Sequence, residues 1–142
     1  MQPAPFEERI ELILQNDDRY HRDSYYFVRE ALDHTQKAFL KASNTPAHHV
    51  TAQQLLHGLR EYALQRFGPM TLALLAEWGI RRTEDVGEIV YNMVDCGLLA
   101  KTESDRREDF RDGYDFHKVF SEPFKPSPPQ SSLASQVKPT QV

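Results

Sequence analysis

Hydrophobic and polar positions recur along most of this chain with the period of an α-helix. Phe6, Ile10, Ile13 and Leu14 fall on one face of a helix predicted over 5–16. Pro5 suits its first position, and Glu7 and Glu8 sit in the first turn, where the helix dipole favours acids. A second helix, over 22–42, opens at Asp23 or Ser24. It carries Tyr25, Val28, Leu32, Thr35 and Phe39 as one stripe, thickened by Tyr26 and Phe27. It ends in the polar loop SNTPAHH.

Thr51 and Gln54 form a Thr-x-x-Gln capping box, in which each side chain satisfies a free backbone N–H near a helix start. Leu55, Leu56, Leu59, Tyr62, Ala63 and Phe67 then face one way. Gly68 stops this helix and Pro69 opens the next. The fourth helix, 70–78, is apolar nearly all round, which predicts burial. Gly79 ends it, with Ile80 packing back as the hydrophobic partner of a Gly stop. Thr83 is read as the cap of a fifth helix, in which Val86, Ile89, Val90, Met93 and Val94 keep an unbroken helical pattern up to Gly97.

Beyond Gly97 the period changes. Leu98–Thr102 reads as a short strand. Asp109–Phe116, with Phe110, Tyr114 and Phe116 on alternate positions, reads as a second strand across the polar loop ESDRRE. A short helix near 115–120 closes the domain. The order α-α-α-β-β is that of a winged helix. The expected fold is therefore mainly α: a helical extension over 1–46, a winged-helix-like domain over 47–121 and a tail over 122–142. Five of the last 20 residues are proline and apolar residues there are sparse, so the tail is expected to be disordered.

Composition adds bounds. The net charge is −4, with the tail at +1 and the body at −5, so no global positive field steers the chain to phosphate backbones. A single cysteine, Cys96, cannot form an internal disulfide and fits a reducing compartment. The start, MQPAPFEERIELILQ, has acids where a signal peptide needs basic residues. The longest apolar run is Leu72–Ala76, far short of the ~20 residues that span a bilayer. A cytoplasmic location is expected.

In a winged helix the exposed face of the second helix of the motif reads the partner. Here that face holds Glu84, Asp85, Glu88, Asn92 and Asp95, and its four acids would face phosphates rather than attract them. The expected function is a non-catalytic protein-interaction module, with Glu88, Asn92 and Asp95 as partner-binding candidates for a basic segment. The dipole alone accounts for Glu84 and Asp85. The alternative is a nucleic-acid-binding regulator contacting phosphates through Arg81 and Arg82 before the helix and Arg106 and Arg107 at the wing tip. Glu103, Asp105, Glu108, Asp109 and Asp112 share that wing and argue against it.

Other chemistry has little support. Asp105, Asp109 and Asp112 do not match a calcium loop. The six histidines include the adjacent pair His48 and His49 and form no HExxH or Cys/His pattern, so no metal or cofactor is expected. There is no G-x-S-x-G, phosphate-cradling loop or dinucleotide fingerprint, and Cys96 reads as inert packing, so no enzyme is expected.

The pieces RFGPM at 66–70, WGI-x-x-TED-x-GEIV at 78–90, GLL-x-KT at 97–102 and DF-x-x-GYDF at 109–116 resemble a small uncharacterised family of planctomycete and verrucomicrobial bacteria. The N-terminal RY…SYYFVREAL is similar too, so the resemblance spans about 6–120. That family has no established activity. The resemblance implies a lineage and assigns no catalytic or binding residue.

Overall fold

The computed structural model describes residues 5–43 and 49–126, and every regular element among them is helical. The α-helices are α1 (Phe6–Asn16), α2 (Arg22–Ser43), α3 (Ala52–Phe67), α4 (Thr71–Glu77), α5 (Thr83–Asp95) and α6 (Phe116–Phe120). Single 3₁₀ turns occupy Gly68–Met70, Arg107–Phe110 and Glu122–Phe124.

Local chemistry sets most of these ends. The Thr51 hydroxyl accepts the Gln54 N–H at 3.2 Å and the Gln54 side chain accepts the Thr51 N–H at 2.9 Å, which closes the capping box of α3. After α4, Gly79 takes φ +94° and the Ile80 N–H reaches back to the Leu75 carbonyl at 2.8 Å. That geometry drops Ile80 into the core, where it is fully buried.

The expected β-hairpin does not form, and with it the winged-helix fold is overturned. Among the described residues there is no strand. Leu98 and Leu99 instead complete the C-terminal cap of α5. Gly97 takes φ +83°, its N–H bonds to the Val94 carbonyl at 3.0 Å, and the Leu98 N–H bonds to the Met93 carbonyl at 2.8 Å. An N–H spent on the helix end cannot enter a sheet ladder. The second expected strand is diverted too. Asp109 accepts the Arg106 N–H at 3.1 Å and folds 107–110 into a 3₁₀ turn. Thr83 donates to the Phe110 carbonyl at 2.6 Å and accepts the Gly113 N–H at 2.9 Å, which ties this segment to the start of α5. Thr83 is therefore not a cap. It is a buried first-turn residue, and Arg82 holds the N-cap position.

Two smaller expectations also change. The expected 70–78 helix is not buried all round: Thr71 and Leu75 of α4 are buried, while Ala73 and Glu77 of α4 and Met70 of the preceding 3₁₀ turn are exposed. At the start of the expected tail Glu122–Phe124 form a 3₁₀ turn, and 127–142 lie outside the described residues.

One hydrophobic cluster runs through all six helices, from Ile10 through Tyr25, Leu59 and Leu75 to Ile89 and Phe120. Helix α1 packs on α2 and α5, and α6 on α3 and α4. The α2–α3 contact is close because Gly58 has no side chain: a Cβ there would run into Thr35. Thr35 is buried, and its hydroxyl donates to the Ala31 carbonyl one turn back at 2.7 Å.

Candidate functional site

The polar face of α5 is taken up largely by the chain itself. Asp85 accepts the N–H groups of Arg81 and Arg82 at 2.9 and 3.1 Å through one oxygen, and the Tyr20 hydroxyl at 2.7 Å through the other. Glu88 lies between two arginines, 3.1 Å from Arg19 and 3.4 Å from Arg107. Asn92 donates to Asp17 and to the Tyr25 hydroxyl, both at 3.0 Å. Glu84 accepts the Asp112 N–H at 3.3 Å. Of the partner-binding candidates, Asp95 alone is exposed without an ion pair among the described residues. The short connection between α1 and α2 thus covers the face that carries Glu88 and Asn92. It is anchored from the other side by the His21 N–H, which bonds to the Trp78 carbonyl at 3.0 Å.

Asp17 joins this network at its centre. Arg19 bonds it at 2.7 Å, and this bond, acting against partial burial and helped by Asn92, holds the Asp17 carboxyl well below the usual carboxylate range. A carboxyl with a lowered folded pKa contributes stability that is fully present above its unfolded value of about 3.9 and is lost as pH falls toward the folded one. The expected result is a fall in urea midpoint between pH 5 and pH 2.5 that is smaller in Asp17→Asn than in the parent chain. Equal falls would remove Asp17 from the network.

The arginines separate into two kinds. Arg81, Arg82 and Arg106 are exposed and form no ion pair among the described residues. Arg107 pairs with Glu88 and lies over the Tyr91 ring, 5.4 Å from its centroid. With no hairpin formed, Arg106 and Arg107 sit at a 3₁₀ turn packed on α5, not at a wing tip.

The acids of 105–112 also have local tasks. Asp105 accepts the Thr102 N–H at 2.8 Å and pairs with His49 at 2.5 Å. Burial pushes the Asp105 carboxyl up, but these two partners outweigh it and hold the group below its usual range. Asp109 caps the 3₁₀ turn. Among the described residues no group of three His, Cys, Asp or Glu gathers closely enough to hold a metal ion.

A cleft of about 410 Å³ opens where α2, α3 and α5 meet the 98–110 segment. Its apolar lining comes from Val28 and Leu32 of α2, Leu55 of α3, Val90 and Val94 of α5, and Leu99. Its polar lining comes from Gln36, His49, Thr51, Lys101, Asp105, Arg106 and Asp109. Tyr91 also lines it. That residue is 9% exposed, and its hydroxyl has no hydrogen-bond partner among the described residues. Burial, reinforced by the Asp105 and Asp109 carboxylates, raises its pKa, so the phenol remains a protonated donor. Size, apolar lining and a few polar groups are the usual attributes of a ligand site.

The sequence pattern places Arg106 at a wing tip and gives His49 no metal-binding pattern. It singles out neither Tyr91 nor Lys101. A tyrosine between Val90 and Asn92, at the edge of the apolar stripe, was the available signal. Comparison with known proteins finds no matching family model, no matching curated protein and no matching solved structure. Among the described residues no helix is long and apolar enough to cross a membrane.

Proposed function

We propose that this chain is a non-catalytic binding module whose binding surface is the cleft between α2, α3 and α5. The observation that carries this reading is the cleft itself, about 410 Å³ in volume, with Val28, Leu32, Leu55, Val90 and Val94 as apolar lining and Lys101, Arg106 and Tyr91 among its polar groups. The acidic face of α5 supports a partner less well. A basic segment would have to displace Arg19 and Arg107 from Glu88 before it could bind.

Tyr91→Phe separates a binding role from a folding role. With no protein acceptor to lose, the variant is expected to match the parent's stability within about 0.5 kcal/mol. Urea unfolding checks this, and a loss above 1 kcal/mol would give the hydroxyl a structural partner. The cleft itself is tested by methyl-resolved NMR during titration with 1-decanol. Saturable shifts at Val28, Leu55, Val90 and Val94, abolished in Val94→Trp, are expected. Shifts elsewhere, or unchanged binding in the variant, would refute the cleft as the site.

A further inference from the structure

The polar groups around this cleft are not equivalent, and their differences define a ligand. Asp105 and Asp109 are each engaged through one carboxylate oxygen, the first with the Thr102 N–H and His49, the second with the Arg106 N–H. The cations are not. Arg106 has no carboxylate partner among the described residues, and the Lys101 ammonium meets only the Thr102 carbonyl at 3.5 Å. Thr51 and Ala52, at the start of the 16-residue helix α3, also line the cavity. The capping box there satisfies the Gln54 N–H, while the N–H groups of the first turn ahead of it lack intrahelical acceptors. Tyr91 contributes a further donor without an acceptor. The rim therefore offers two cations without ion-pair partners and further unmatched donors, beside the Gln36 amide and the second oxygens of Asp105 and Asp109.

Resting on the reading of the cleft as a binding site, we propose that its ligand is a small amphipathic carboxylate. The apolar body occupies the space between Val28, Leu55, Val90 and Val94, and the head group is held by Lys101, Arg106 and the Tyr91 hydroxyl. A volume of about 410 Å³ accommodates a molecule the size of a medium-chain fatty acid. A carboxylate is acceptor-only when ionised, which complements a rim of donors.

The test is isothermal titration of the full chain with three probes of equal tail length: decanoate, 1-decanol and decylammonium. Decanoate is expected to bind about tenfold more tightly than 1-decanol, as charge-assisted bonds are added to the same apolar burial. Decylammonium is expected to bind more weakly than 1-decanol. In the Lys101→Ala/Arg106→Ala variant the advantage of decanoate over 1-decanol should vanish. Both substituted side chains are exposed, so the fold is expected to persist. Tyr91→Phe should weaken decanoate more than decylammonium. If 1-decanol or decylammonium binds as tightly as decanoate, the head-group assignment is wrong and the cleft still stands as a site. If none of the probes binds, the cleft reading fails and this inference fails with it.

Discussion

Gly87→Ala is expected to destabilise this protein by about 2 kcal/mol. The same change at a solvent-exposed helix position would stabilise by about 1 kcal/mol, because alanine is the better helix former. The sign reverses because a Cβ at Gly87 would lie 2.8 Å from the Cβ of Phe110 and 2.9 Å from its ring. Phe110 has little room to yield. It is buried, its carbonyl accepts from Thr83 at 2.6 Å, and its ring meets Tyr91 edge-on at 6.5 Å. Urea unfolding should show a lower midpoint with an unchanged slope. Adding Phe110→Leu should recover part of the loss, since contacting residues couple. A neutral or stabilising Gly87→Ala would mean that the 107–110 turn does not rest on α5, and the wall of the cleft would go with it.

Asp85→Ala is expected to cost about 3 kcal/mol. The carboxylate satisfies two backbone N–H groups at the start of α5 and is the acceptor for the Tyr20 hydroxyl, which sits on a residue only 3% exposed. Its removal leaves all of these donors short of a partner. Asp85→Asn keeps an acceptor oxygen and should lose roughly half as much. A change below about 0.5 kcal/mol in Asp85→Ala would place Asp85 among ordinary surface acids.

These two residues also show where sequence reading succeeds and where it stops. The Thr51–Gln54 box, the Gly79–Ile80 stop and the end of α5 at Gly97 were legible because each involves groups within a few positions of one another. The hairpin was misread because Leu98 and Leu99 suit a strand and a helix cap equally well. What decides is the Met93 carbonyl that receives the Leu98 N–H. Alternation at Phe110, Tyr114 and Phe116 was equally ambiguous, since Phe110 is fixed by Gly87 and Thr83 far earlier in the chain. The acids of α5 were visible as a surplus of negative charge. Their partner Arg19, 69 positions upstream of Glu88, was not. The dipole explanation for Asp85 omitted its bond to Tyr20, 65 positions away. The cleft lay beyond reach for the same reason, since no local pattern brings Val28, Leu55 and Val94 together.

The central claim is that the cleft between α2, α3 and α5 receives a ligand. A crystal structure of the full chain grown with decanoate tests this most directly. The predicted result is density for the alkyl chain between Val28, Leu55, Val90 and Val94, with the carboxylate at Tyr91, Lys101 and Arg106. Density for decanoate only at another surface, or a cleft filled by the chain's own side chains, would contradict it.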